Sequence, residues 1–200
     1  VAVRSLSEIF KDSGSDKGTV HSYPEVYEQI LAPYRDKPGD VLEIGVLWGE
    51  SLRAWEEYFT EARVWGVELN PHPLGGQVDL EPFMAEGGHN VVFGDATSRA
   101  DVEAAFSHIR FNAVIDDASH EVGAQIKTYW NFRSLMASGG VYVIEDIQDV
   151  EATRGLFENL DPVGARAEVI DRRSVKGRYD DVMAVYRINE TCGSQCGRGE

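Results

Sequence analysis

Residues 41–51, VLEIGVLWGES, decide the fold. Val41, Leu42 and Ile44 make a short apolar run with one carboxylate, Glu43, inside it. A turn holding Gly45 and Gly49 then leads into 50–59, where Leu52, Trp55 and Phe59 share a helical stripe. A buried strand, a glycine turn and an amphipathic helix in that order form the first unit of an open α/β sheet. The alternation recurs. Residues 64–69 (VWGVEL), 91–93, 113–115 and 141–144 read as further buried strands, and 121–136, with Ile126, Trp130 and Leu135, as the helix between the last two. Upstream, 24–34 predicts an amphipathic helix with Pro24 in its first turn. Downstream, 150–160 predicts another, and 167–170 with 182–188 a closing antiparallel hairpin. The expected fold is a single α/β domain over 1–190: a Rossmann-like doubly wound sheet, mostly parallel with a C-terminal antiparallel strand, helices on both faces. Residues 191–200, with Cys192 and Cys196 in a Gly-rich stretch, read as a flexible tail with incidental thiols.

A formal net charge of −15 repels polyanions, so nucleic acid is not an expected partner, whereas a cationic ligand or a metal ion suits this field. The apolar runs fall far short of the ~20 residues of a membrane helix, and no basic-then-apolar leader is seen. The expectation is a soluble, cytoplasmic protein with no membrane partner.

Ligands of such sheets bind beyond the carboxyl ends of the strands, here 45–49, 68–71, 94–98, 116–120 and 145–148. Gly45 and Gly49 allow a backbone to approach a ligand closely, although Leu47 and Trp48 break the G-x-G-x-x-G spacing of a pyrophosphate cradle. Glu68, ~20 residues further on, stands where a carboxylate accepts ribose hydroxyls. Asp95, in G-D-A-T, stands where one can bond an adenine amino group. With Glu43, these acidic strand positions point to an adenosine-containing cofactor.

The fourth strand ends I-D-D-A-S-H (115–120) and the fifth I-E-D-I-Q (144–148). Adjacent strand ends lie ~5 Å apart, so Asp117, Glu145 and Asp146 can converge on one cation. Three hard oxygen donors without clustered Cys or His suit magnesium rather than zinc. The competing reading makes Asp117 a helix cap and Glu145 and Asp146 solvated loop charges. Side-chain alternation turns Asp116 the other way, toward the helices or the cofactor. His120, three residues after Asp117, is the candidate general base. His21, His72, His89 and His108 are assigned no chemistry.

The run E-I-G-x-x-x-G (43–49), the second-strand Glu68 and G-D-A (94–96) resemble the class I methyltransferases, a likeness spanning 15–148. It implies that S-adenosylmethionine is held by Glu43, Gly45, Gly49, Ser51, Glu68, Asp95, Ala96, Asp116 and Lys17. D-D-A-S-H and the following E-D resemble the metal-dependent sugar O-methyltransferases of macrolide biosynthesis, the mycinamicin and macrocin type, and the methylmannose polysaccharide O-methyltransferases. That resemblance implies Mg2+ on Asp117, Glu145 and Asp146, with His120 as base and Asp117 also catalytic. The opening SDKGTVHSY (15–23) is similar to the segment that closes over the cofactor in that family, where Lys17 either meets a carboxylate or stays solvated. The implied acceptor is a small-molecule glycoside or an oligosaccharide: a deoxysugar of a glycosylated natural product, or a mannoside. Trp48, Tyr23 and Trp130 are candidates to stack on it, with core packing the other reading of Trp130. The additional amino-terminal domain that full-size macrolide enzymes can carry is not expected here. The Gly- and Pro-containing stretch 71–90 reads as an acceptor lid or a disordered loop. Alternatives are a catechol or phenol O-methyltransferase, a relative of the cephalosporin-hydroxylase-like group, and a noncatalytic nucleoside-binding module. Acceptor identity and homo-oligomer formation are left open.

Overall fold

The computed structural model of the chain describes residues 3–189, so the expected tail with Cys192 and Cys196 lies outside the described residues. A seven-stranded sheet runs in the order β3-β2-β1-β4-β5-β7-β6. Its strands are β1 (Gly39–Ile44), β2 (Ala62–Glu68), β3 (Asn90–Phe93), β4 (Phe111–Asp116), β5 (Met136–Ile144), β6 (Ala165–Asp171) and β7 (Val182–Ile188). The first five are parallel. β7 inserts between β5 and β6, antiparallel to both, as the expected closing hairpin. The helices are α1 (Leu6–Ser13), α2 (Asp16–Thr19), α3 (Pro24–Leu31), α4 (Glu50–Tyr58), α5 (Pro73–Gly76), α6 (Glu81–Glu86), α7 (Arg99–Phe106), α8 (Val122–Arg133), α9 (Val150–Glu158) and α10 (Arg173–Lys176).

Alternation along the strands sorts side chains between two cores. Val41, Ala113, Ile115, Val141 and Val143 face α1, α3 and α4, where they meet Phe10, Tyr27 and Trp55. Leu42, Ile44, Val114, Tyr142 and Ile144 face α7, α8 and α9, where they meet Phe106, Tyr129 and Phe157. The same parity governs the polar residues that follow, and so lays out the site.

Three segments depart from expectation. α1 and α2 were not anticipated, because each offers too short a pattern. α1 is started by a Ser5–Glu8 capping box and buries Leu6, Ile9 and Phe10. The buried face of α8 is Gln125, Thr128, Tyr129 and Phe132; of the expected stripe, Ile126 is half-buried, Trp130 is 48% exposed, and Leu135, which is buried, lies past the helix end. The 71–90 stretch is ordered. Val78, Leu80 and Phe83 are buried, with the Phe83 ring stacked on His89 (centroids 3.8 Å apart) and covered by the Arg53 guanidinium at 4.6 Å.

Asp161 ties α8 to the turn before β6. Its carboxylate accepts from Arg133 Nε (2.5 Å), Tyr129 Oη (2.9 Å) and the Gly164 amide (2.9 Å). Burial pushes this carboxyl up, but the bonds from Arg133, Tyr129 and Gly164 outweigh it and leave it below its ordinary value. A depressed carboxyl stabilises the fold above its unfolded value, ~3.9, and the benefit vanishes as pH falls through the folded value. Asp161→Asn is therefore expected to cost about 2 kcal/mol at pH 7, with the deficit closing below about pH 4, when urea unfolding is compared across pH. An equal deficit at pH 3 and pH 7 contradicts this.

Candidate active site

A cleft of about 640 Å³ opens beyond the carboxyl ends of β1 to β5, and its lining includes Gly45, Glu68, Asp95, Asp117, His120 and Asp146. That volume lies within the ~300–1,000 Å³ of small-molecule sites. Glu68, at the end of β2, accepts from the Val46 and Leu47 amides through Oε2 (3.0 and 3.1 Å) and from the Leu69 amide through Oε1 (2.7 Å). The carboxylate thus moulds the glycine loop after β1 as well as lining the cleft. Asp95 Oδ1 accepts from the amide and hydroxyl of Thr97 (both 2.8 Å), fixing the turn after β3. Ser51 and Ala96 also line the cleft. Gly45, at φ 90°, is demanded by the protein itself: a Cβ there would lie 2.3 Å from the Asp117 carbonyl oxygen.

Asp117 follows the last residue of β4, on the parity of Ile115, and Glu145 follows β5 on the parity of Val143. Both therefore turn toward the α1, α3 and α4 side. Asp146 would by parity turn the opposite way, but its backbone is left-handed at φ 53°, which breaks the alternation. Its Oδ2 comes to 3.6 Å from His120 Nε2, which is 3.5 Å from Asp117 Oδ1. One donor atom each from Asp117, His120 and Asp146 lies within 4.8 Å of the others.

Glu145 does not join that trio. Its carboxylate is buried and accepts from Tyr27 Oη and, at 2.9 Å, from Lys17 Nζ. Lys17 is 1% exposed, bonded also to Asp117 Oδ2 and 3.8 Å from Glu43. Burial works against the Lys17 charge, yet Asp117, Glu145 and Glu43 overcome it and hold the ammonium well above its ordinary value. Of the two expectations for Lys17, contact with a carboxylate is the one the structure shows, and the ammonium serves as an internal counter-ion.

Glu43, Gly49 and Asp116 are not among the residues that line the cleft, although Trp48, Glu50, Ser51 and Asp117 beside them are. Glu43 sits beneath the sheet end, accepting from Trp55 Nε1 (3.1 Å), and burial pushes it up to about 7 despite Lys17. Gly49 starts α4 in the left-handed region under the Phe83 ring, where a Cβ would come within 2.5 Å. Asp116 faces the opposite core and accepts from Tyr142 Oη (3.0 Å), with burial raising it to about 7. Strand parity turns Asp116 toward the helices, where its partner is Tyr142.

Burial and then repulsion from Asp117 raise the Asp146 carboxyl. Burial pushes the Asp117 carboxyl up, but Lys17 and His120 together outweigh it and hold the group below its ordinary value. His120 is raised, chiefly by Asp117. Two carboxylates held this close under like-charge stress, with an imidazole beside them, fit a divalent cation that keeps several waters. Among the stacking candidates, Trp48 stands on the cleft rim, 48% exposed, whereas Tyr23 is fully buried and Trp130 does not line the cleft. His21, assigned no chemistry from the sequence, is buried, with Nδ1 3.5 Å from Asp146 and 3.4 Å from Asp181. Only the surrounding T-V-H-S-Y segment hinted at it.

This sheet order, with an adenosine-sized cleft at the strand ends and an acidic cluster beside it, is the class I methyltransferase fold. The MycE methyltransferase of the mycinamycin biosynthetic pathway, solved with Mg, SAH and mycinamycin VI, superposes with a TM-score of 0.73 at 19% identity, covering 99% of this chain and 58% of that one. In sequence the chain is homologous to sugar O-methyltransferases. It is 35% identical over 153 residues to the 8-demethyl-8-α-L-rhamnosyl tetracenomycin-C 2′-O-methyltransferase of Streptomyces olivaceus, covering 73% of this chain and 38% of that protein. It is 30% identical over 146 residues to the L-olivosyl-oleandolide 3-O-methyltransferase of Streptomyces antibioticus, covering 66% and 34%. The chain spans little more than a third of the length of these curated relatives. No protein-family model matches it. Among the described residues, no helix is long and apolar enough to cross a membrane.

Proposed function

We propose that this protein is an S-adenosylmethionine- and Mg2+-dependent O-methyltransferase acting on a sugar hydroxyl of a glycosylated small molecule. One observation carries the reading: Asp117, His120 and Asp146 meet in the cleft that also holds Glu68 and Asp95. The relatives, named for methyl transfer to rhamnosyl and olivosyl groups, support the sugar acceptor. The mannoside and catechol readings draw no comparable support. The seven strands among the described residues form one continuous sheet, which supports a single catalytic domain.

Asp117 and Asp146 would hold the cation, with His120 beside them. When bound, the cation would polarise an acceptor hydroxyl and oppose the proton on His120. Glu68 and Asp95 orient the nucleoside end of the methyl donor, and the carboxylate-lined cleft suits its sulfonium charge. His120 Nε2, facing the carboxylates and 34% exposed in its side chain, accepts the hydroxyl proton as the oxygen–methyl bond forms and the sulfur–methyl bond breaks. Lys17 and Tyr27 keep Glu145 buried and fixed.

A labelled methyl-transfer screen with Mg2+ over rhamnosides, olivosides, mannosides and catechols tests the reading. Transfer to a deoxysugar, lost in chelator, is expected. Transfer to catechols alone, or undiminished transfer in chelator, contradicts it. Glu68→Ala, which removes charge-assisted bonds of ~1.5–3 kcal/mol, is expected to weaken S-adenosylhomocysteine binding roughly 10- to 100-fold by calorimetry. Unaltered affinity would take Glu68 out of the cofactor site.

A further inference from the structure

We propose that Tyr23 is a positioning residue for the metal centre: its buried phenol holds one oxygen of Asp146 so that the other stays turned toward Asp117 and His120. The inference rests on the metal reading above and concerns what makes that centre possible.

Asp146 occupies an unfavourable backbone state. A residue with a Cβ at φ 53° needs its surroundings to hold it there, and here the flip is what brings the carboxylate into the cleft. The two carboxylate oxygens are divided. Oδ1 accepts from Tyr23 Oη, while Oδ2 faces His120 Nε2 at 3.6 Å. Without the Tyr23 hydroxyl, Oδ1 keeps only His21 Nδ1, at 3.5 Å, and the carboxylate loses the hydrogen bond that fixes its rotation.

Tyr23 is built to resist that rotation. It is the N-cap residue of α3, its carbonyl accepts from the Tyr27 amide at 2.9 Å, and Pro24 follows it. Its ring stacks on His21 (centroids 4.8 Å, planes 18° apart) and meets the edge of Tyr27 at 6.3 Å. The phenol oxygen also lies 3.2 Å from the Asp180 carbonyl. Tyr23 is fully buried and absent from the cleft lining, so its hydroxyl reaches the site through Asp146.

The pattern extends along the segment. Lys17 bonds Asp117, Tyr23 bonds Asp146 and Tyr27 bonds Glu145, so each acidic residue at the tips of β4 and β5 on the cleft side receives a donor from residues 17–27. Donors behind ligand carboxylates fix their orientation, and their loss typically weakens metal binding 10–100-fold.

The test measures Mn2+ affinity by the electron paramagnetic resonance of free Mn2+, alongside calorimetric affinity for S-adenosylhomocysteine, in the parent, Tyr23→Phe and Tyr58→Phe. Tyr58 is the comparison because its hydroxyl is buried without a hydrogen-bond partner, so its loss deprives no carboxylate. Tyr23→Phe is expected to weaken Mn2+ binding about 10-fold or more, with nucleoside affinity unchanged and Tyr58→Phe like the parent. Equal Mn2+ affinity in Tyr23→Phe and the parent overturns the inference while sparing the metal reading. An equal loss in Tyr58→Phe also overturns it. A parent that binds the nucleoside but no Mn2+ overturns the metal reading, and the inference with it.

Discussion

Replacing His120 with Ala is expected to lower turnover ~10²–10⁴-fold while leaving S-adenosylhomocysteine affinity within about twofold of the parent. The imidazole lies at the junction of the two carboxylates, 3.5 Å from Asp117 and 3.6 Å from Asp146, with 34% of its side chain exposed to the cleft. Truncation there removes a proton acceptor without opening a core cavity, so folding should survive. The split between turnover and binding is the informative part. A residue that only packed the loop after β4 would disturb both, whereas an acceptor acting on the developing alkoxide lowers turnover alone. Unchanged turnover, with methyl transfer demonstrated in the parent, removes His120 from the chemistry.

The second large effect belongs to Lys17. Its ammonium is the cation among three carboxylates, two of them fully buried: bonded to Asp117, 2.9 Å from Glu145 and 3.8 Å from Glu43. Lys17→Met keeps much of the volume and deletes the charge. Removing one partner of a buried ionic cluster ordinarily costs 3–5 kcal/mol, so a loss of about 3 kcal/mol is expected at pH 7. Against the ~5–15 kcal/mol stability of a typical domain, this is severe. A dication at the neighbouring trio would replace part of the missing charge, so Mg2+ should restore more stability to Lys17→Met than to the parent in urea unfolding. A loss below about 1 kcal/mol, or equal Mg2+ stabilisation of both, contradicts the counter-ion role.

The sheet was legible because its strands announce themselves in parity and in their Gly and carboxylate ends. Val41–Glu43–Gly45 and Ile115–Asp117 alternate as strands must, and adjacency of the fourth and fifth strand ends follows from the winding. The convergence of Asp117 and Asp146 with His120 was likewise legible in outline. Glu145 was not, since which of two neighbouring carboxylates enters a cleft turns on one backbone torsion, the left-handed state of Asp146, and no residue-type signal marks an aspartate for it. Lys17, His21 and Tyr23 reach the strand-end acids across 100 or more residues of sequence, and α2 is too short to show a hydrophobic period. Gly49 and Glu43 sit in the expected motif but serve packing, against Phe83 and Trp55, because a glycine turn reports closeness of approach and not what approaches.

The most direct measurement is a crystal grown with Mn2+ and S-adenosylhomocysteine, with anomalous scattering used to locate the metal. The prediction is a Mn2+ peak bonded to carboxylate oxygens of both Asp117 and Asp146, with the nucleoside running past Glu68 to Asp95 in the same cleft. A peak that engages neither aspartate, or a nucleoside bound elsewhere on the molecule, contradicts it.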